Sequence, residues 1–298
     1  MLDEKTSIFE QHRKTLEGLA YRMLGTLEEA KDVIHETFLK WHETNIETLA
    51  NPRAWLITVC SRISLNQLKS ARKQREIYVG EWLPEPFPDT HWDDQSDPAV
   101  QVEINDTISI ALLLALEKLT PVERAVFLLH DIFDLSFDEI AVVVGKTSAN
   151  CRQVATRSRK RIRENHPRFD ATPDEHRLLL DGFMSAVREF NLEKLTLLLA
   201  DGVALYTDGG GKVQALQDVL RGGEKVAAFF VKIFSQLDRQ DVVIRMQPQC
   251  FNGSLGVLIF EDDELATALT IEADSGCIHR IYAVRNPSKL SAFSRINL

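Results

Sequence analysis

The sequence predicts a multidomain chain of 298 residues: two all-α blocks, then an α+β domain. Three observations predict it. Apolar residues at a helical period, set between capping boxes, fill residues 1–76 and 99–166. A stretch with four prolines and no Lys or Arg, residues 77–98, separates them. Across residues 173–290 helical periodicity gives way to short strand-like runs punctuated by Gly, Asn and Asp.

In the first block, residues 8–43 are helical. Leu16, Leu19, Ala20 and Met23 share a face, and Gly25-Thr26 breaks the run. Thr26-x-x-Glu29 is a capping box for a helix with Ala30, Val33, Ile34, Phe38 and Trp41 on one stripe. A loop at Asn45–Asn51 leads to Pro52, which opens a helix carrying Trp55, Val59, Ile63 and Asn66 along one line; Trp55 reads as a core residue. The linker also holds Trp82, Leu83, Phe87 and Trp92, too apolar for an idle tether, so it should dock on something.

The second block runs helically from Ala99 to Leu119. Thr120-Pro121-x-Glu123 and Ser136-x-x-Glu139 then start two further helices, and Gly145 ends the second. Thr147 caps a last, strongly basic helix. Two short helices across a tight Gly turn, the second basic, form a helix-turn-helix signature. On that last helix Cys151, Val154, Ala155, Ser158 and Ile162 face inward. Ser148, Asn150, Arg152, Gln153, Thr156 and Arg157 become the base-reading set, because the N-terminal half of such a helix enters the major groove. Arg159, Lys160, Arg161 and Arg163 hold phosphates. The competing reading is a solvated basic face.

In the tail, residues 174–199 and 223–237 suggest helices, and VALYT, KVQAL, DVVIRMQ, LGVLIFE, LATALTIEA and CIHRIYAV suggest an antiparallel meander. The net charge of −9 is uneven: residues 76–106 carry nine acids and no Lys or Arg, whereas residues 1–75 and 107–166 each carry two more Lys and Arg than acids. Nucleic-acid binding follows local patches, so an acidic total does not exclude it. No apolar run is long enough to span a membrane and the N-terminus is charged, which predicts a cytoplasmic protein with no membrane contact. The four cysteines lack metal-ligand spacing and read as buried reduced thiols; no metal or cofactor is expected.

The motifs carry a resemblance. GTLEEAKDVIHETFLKWHE with NPRAWLITVCSRISLNQLKSARKQRE resembles region 2 of an extracytoplasmic-function (ECF) bacterial sigma factor. LEKLTPVERAVFLLHDIFDLSFDEIAVVVGKTSANCRQVATRSRKRIRE resembles region 4 of that family. The resemblance implies core RNA polymerase as partner, through its β′ clamp helices and β flap, and promoter DNA. Asp32 and Glu36 match the polymerase-facing acids, with Lys31 and His35 where an acid and a glutamine are commoner. Asn51 and Arg53 fall at the −10 reading position; Arg62, Asn66, Lys69, Arg72 and Lys73 lie along the helix that would track the DNA. The basic set Ser148–Lys160 would read the −35 element.

WLPEP (82–86), DGGGK (208–212) and NPSKL (286–290) resemble three signatures of a sigma subgroup with a fused SnoaL-like domain, a curved sheet wrapped around helices. Ser288 stands where Asp is more usual. The resemblance implies regulation by interdomain contact through Trp82, Leu83, Pro84, Glu85, Pro86, Asp208, Gly209, Gly210, Gly211, Lys212, Asn286, Pro287, Lys289 and Leu290. YTDGGGKV is not a phosphate loop: Tyr206 occupies the first Gly position and Val213 the metal-ligating Ser/Thr. Asp208-Gly209 reads as a hairpin signal, and three glycines suggest close backbone approach by another segment. A tail that senses a small-molecule ligand, or one that acts as an isomerase-like enzyme with Asp181, Asp208, His279 and Tyr282 as its candidate acid/base residues, is the alternative, and a conventional helix-turn-helix regulator that works without polymerase is another.

Overall fold

The computed structural model describes residues 2–75, 77–89, 108–165, 169 and 171–295. They fall into two compact units, one of residues 1–77 with 112–167, the other of 78–111 with 168–298.

The first unit is all helical. Helix α1 (Leu2–Leu24) starts earlier than the apolar period indicated and stops at Gly25, whose φ of 80° permits the sharp exit. The Thr26 side chain caps α2 (Leu27–Glu43) by accepting from Glu29 N–H at 3.4 Å. Asn51 Oδ1 accepts from Ala54 N–H and so caps α3 (Pro52–Arg75). Leu16, Leu19, Ala20 and Met23 are fully buried with Val33, Ile34 and Trp41. On α3 the inward line is Leu56, Cys60, Ile63 and Leu68. Trp55 and Val59 are only half-buried and Asn66 is exposed, so the expected stripe is displaced.

Helices α4 (Ile110–Glu117), α5 (Pro121–Phe127), α6 (Phe137–Val144) and α7 (Ser148–Asn165) follow, with a π-helical turn at Leu128–Ile132 between α5 and α6. The part of the expected helix before Ile108 lies outside the described residues, and Ile108 and Ser109 are not helical. Both capping boxes close reciprocally, and Gly145 ends α6 in the left-handed region at φ 66°. Cys151, Val154, Ala155, Ser158 and Ile162 are buried, as their spacing predicts.

The second unit is α+β. Helices α8 (Pro173–Arg188) and α9 (Leu192–Leu198) replace the single expected one, because Phe190 takes a positive φ and Asn191 caps a new start. After β1 (Leu199–Asp208) and the two-residue β2 (Leu220–Arg221) come α10 (Gly223–Arg239) and the antiparallel meander β3 (Ile244–Phe251), β4 (Ser254–Glu261), β5 (Glu264–Asp274) and β6 (Cys277–Val284). The sheet order is β2-β1-β6-β5-β4-β3, and β1 joins β6 in parallel. KVQAL is not a strand. Its Leu216 backbone bonds the Thr207 hydroxyl instead of a ladder.

Both sheet faces are buried. Leu269, Ile271, Ile281 and Ala283 pack with Leu180, Phe183, Val187 and Phe230 of α8 and α10, filling the helix side. On the other face Leu258, Phe260, Ala268, Tyr282 and Val284 are buried, and the linker runs over that side of the unit. Of the cysteines expected to be buried, Cys60 and Cys151 are; Cys250 is exposed and Cys277 half-exposed, near the ends of strands β3 and β6.

Candidate nucleic-acid interface and linker clamp

On α7 the seam fixes what is left for solvent. Asn150, Arg152, Gln153, Thr156, Arg157 and Lys160 are exposed, on one side of the helix or at its rim. Several are already engaged. Ser148 donates to Asp138, the Arg152 guanidinium lies 5.4 Å from the Phe137 ring centre, and Thr156 donates back to Arg152 O. Arg159 pairs with Asp131 at 2.7 Å and Arg161 with Glu123 at 2.7 Å. Glu123 also closes the capping box of α5, and its bonds to Thr120 and the nearby arginines hold its carboxyl below the usual range against the cost of burial.

In the first block Arg53, Asn66 and Lys69 are exposed on α3. Arg62 instead donates Nη2 to Val142 O at 2.7 Å. Arg72 and Lys73 fall on α3, and their side chains lie outside the described residues. Asp32 and Glu36 are exposed one turn apart on α2, where Glu36 pairs with Lys40 at 3.5 Å. The sequence gives no hint of one feature here: a cleft of about 680 Å³ lined by Lys5, Ile8, His42, Asn45, Glu47 and Pro52, beside the loop before α3. Lys5 shapes it, capping the end of α2 through His42 O and Thr44 O at 2.9 and 2.6 Å.

The two tail signatures, DGGGK and NPSKL, converge on the linker signature WLPEP. Asp208, fully buried at the end of β1, accepts from Tyr78 Oη at 2.7 Å, Gly210 N–H at 3.0 Å and Leu83 N–H at 2.9 Å. Lys289 Nζ lies 2.7 Å from the same carboxylate, donates to Leu83 O at 2.5 Å, and sits 4.2 Å from the Trp82 ring centre. Asn286 Nδ2 donates to Tyr78 Oη. Burial and the bond to Asp208 push the Tyr78 phenol upward, so it stays protonated and donates. Leu83, Pro84, Glu85 and Pro86 are buried, as is Leu290 after the turn Pro287–Lys289.

The glycines explain themselves. A Cβ on Gly210 (φ 62°) would fall 2.3 Å from Asn286 Nδ2, and one on Gly211 (φ 67°) 3.3 Å from Val79 of the linker. At Gly209 it would meet Val213 O at 2.5 Å. Lys212 donates to Ser288, so a neutral bond stands where an Asp would give an ion pair. A second anchor was not foreseen. Asn252, buried in the β3–β4 turn, accepts from Phe87 N–H at 3.0 Å and donates to Ile108 O at 2.9 Å. Part of the linker, residues 90–98 with Trp92, lies outside the described residues.

The residues weighed for catalysis do not converge. Asp181 is exposed, Asp208 is spent in the clamp, His279 stacks on Phe169, and Tyr282 donates to Glu272 at 2.8 Å. Among the described residues no group of three or more His, Cys, Asp or Glu could hold a metal ion, and no helix is long and apolar enough to cross a membrane.

A helix-turn-helix whose second helix presents an exposed basic side, and a second helical block with a cationic helix, are the features of a nucleic-acid-binding protein. Residues 8–74 match the family model "Sigma-70 region 2" and 109–162 "Sigma-70, region 4". The chain is 33% identical over 293 residues to the probable ECF RNA polymerase sigma factor SigI of Mycobacterium tuberculosis (strain CDC 1551 / Oshkosh), across 97% of this chain and 95% of that one. It is 36% identical over 228 residues to the ECF RNA polymerase sigma factor SigJ of Mycobacterium tuberculosis (strain ATCC 25618 / H37Rv), across 76% and 72%. The crystal structure of the Mycobacterium tuberculosis factor SigJ superposes with a TM-score of 0.76 at 29% identity, covering 96% of this chain and 98% of that one. The chain belongs to the ECF family of RNA polymerase sigma factors. That family consists of non-enzymatic initiation factors, which bind core polymerase and direct it to promoters.

Proposed function

We propose that this sigma factor reads promoters with α3 and α7 and that its tail sets the path of the linker joining them. Asn51, Arg53, Arg62, Asn66, Lys69, Arg72 and Lys73 meet the −10 element. Ser148, Asn150, Arg152, Gln153, Thr156 and Arg157 read the −35 element while Arg159 and Lys160 hold phosphates. Asp32 and Glu36 face polymerase in the cytoplasm.

The observation that supports the regulatory part is Asp208 and Lys289 closing on both backbone groups of Leu83. Such a contact holds the linker by its main chain, which side-chain drift cannot evade. Transcription with core polymerase, full-length protein and a version whose DGGGK is replaced by a generic turn tests it. Altered promoter output with intact core binding supports the reading; unchanged output removes it. The helix side of the sheet is packed with Phe183, Phe230 and Phe234. That packing favours a structural role for the tail over ligand sensing or catalysis.

A further inference from the structure

Helix α7 is held along one side by residues 130–138. At 3.6 residues per turn, Ser148, Arg152 and Arg159 fall within about 40° of one another around its axis. Ser148 donates to Asp138, and Arg159 pairs with Asp131 at 2.7 Å. Between them the Arg152 guanidinium lies over the Phe137 ring, 5.4 Å from its centre.

These contacts leave the two arginines in different states. An ion pair occupies the N–H edge of a guanidinium, so Arg159 gives Asp131 a donor it would otherwise give a nucleic acid. A ring instead takes the flat face, and the N–H edge stays available for a forked hydrogen bond. Arg152 is exposed, and among the described residues its guanidinium makes no ion pair or hydrogen bond. Its plane is set while its donors are unspent.

Phe137 is itself well fixed. It is the first residue of α6, where the capping box of Ser136 and Glu139 closes reciprocally. The His130 ring packs against it with centres 4.1 Å apart. That imidazole is anchored in turn, its Nδ1 lying 3.0 Å from Leu135 O, an oxygen that can only accept. The π-helical turn Leu128–Ile132 carries both His130 and Asp131, so one irregular turn sets the ring support and the Arg159 pair together.

A bidentate contact to a base needs the guanidinium plane aligned with the base edge. A free arginine gives up its rotamer freedom on making that contact, whereas a stacked one has already lost part of it. We propose that Phe137, backed by His130, is a positioning residue that presents Arg152 to one base pair of the −35 element. The role rests on α7 being the −35 reader and on Arg152 belonging to its base-reading set. The ring itself offers a base no hydrogen bond, so it acts through Arg152.

The test is a double-mutant cycle in the full chain with core polymerase. Its readout is competition binding to a promoter the holoenzyme initiates from and to that promoter's single-base variants. Arg152→Ala should lower discrimination at one base pair roughly tenfold. Phe137→Leu should lower it at the same base pair by roughly threefold, with other positions and the salt slope unchanged. Phe137→Tyr, which keeps the aromatic face, should restore it. In the Arg152→Ala background Phe137→Leu should change nothing further. Discrimination by Phe137→Leu equal to wild type, a loss additive to that of Arg152→Ala, or a loss spread evenly over all base pairs overturns the positioning role. If Arg152→Ala discriminates every base pair as before, the base-reading assignment of Arg152 falls first and the role of Phe137 falls with it. Should Phe137→Leu not fold, Phe137→Met keeps the side-chain bulk without the ring and decides the same cycle.

Discussion

The Asp208 carboxylate and the Lys289 ammonium lie 2.7 Å apart, and each also bonds one backbone group of Leu83, its N–H and its C=O. The pair is therefore buried by the linker it holds. Removing one partner leaves an uncompensated buried charge, at a cost of about 3–5 kcal/mol. Asp208→Ala and Lys289→Met should each lower the unfolding midpoint of the unit. They should also release Trp82 from beneath the ammonium, read as a shift in tryptophan emission. Emission and midpoint both equal to wild type would show that the pair does not hold the linker.

Gly210 and Gly211 should differ in their tolerance of alanine. Both hold a left-handed φ, but only at Gly210 does the added carbon overlap a side chain, that of Asn286 at 2.3 Å. Gly211→Ala pays the backbone strain and a tight contact to Val79, about 1–2 kcal/mol. Gly210→Ala must also displace Asn286 from Tyr78, and should lose at least about 1 kcal/mol more. Urea unfolding curves of the two variants rank them; the reverse order contradicts the clamp geometry.

The reading helix gives a contrast between sequence information and plain affinity. Gln153→Ala should relax discrimination at one base pair of the −35 element by about 1–3 kcal/mol. Lys160→Ala should weaken binding to all sequences alike and lower the salt slope by about 1. Holoenzyme binding to a set of single-base promoter variants, at several salt concentrations, separates the two. Equal effects of both changes on every sequence would remove Gln153 from the base-reading set.

Glu272 gives the second unit a pH dependence. Burial holds its carboxyl above the usual range, against the opposing bonds from Tyr282 and Arg280. A raised folded value means the folded state keeps its proton while the unfolded chain gives it up. Its contribution is thus most favourable below the ordinary carboxylate value and is lost as pH rises through the folded one. Glu272→Gln keeps the acceptor for Tyr282 without the charge, so it should raise the midpoint by a few degrees at pH 8 and by less at pH 4. The test is the difference between variant and wild-type midpoints across that range; a difference that does not change with pH contradicts it.

Much of the helical architecture was legible because it depends on near neighbours. Thr120 with Glu123, Ser136 with Glu139 and the left-handed Gly145 are local devices, and each forms as its spacing indicates. The α7 seam followed from periodicity alone. Elements that depend on distant partners were harder to read. KVQAL has strand-like residues, but Thr207 takes the backbone bonds a strand would need. The stripe on α3 is displaced because helices meet it from more than one side, so no single 3.6-residue line describes its burial.

By itself the sequence determined the helical blocks, the basic helix α7, the α+β tail and the glycine loop that needs a close neighbour. The tertiary structure alone decided what that neighbour is: Asn286 on Gly210 and Val79 of the linker on Gly211. It alone also decided that Arg62 and Arg159 are occupied, and that Arg124 is a buried cap for α1 and not a surface cation. The physical reason is that caps and seams are set within a few residues of chain. The partner of a buried charge, in contrast, is set by whatever fold brings an opposite charge and a free carbonyl to it, and here those lie 7 and 101 residues away from Arg124.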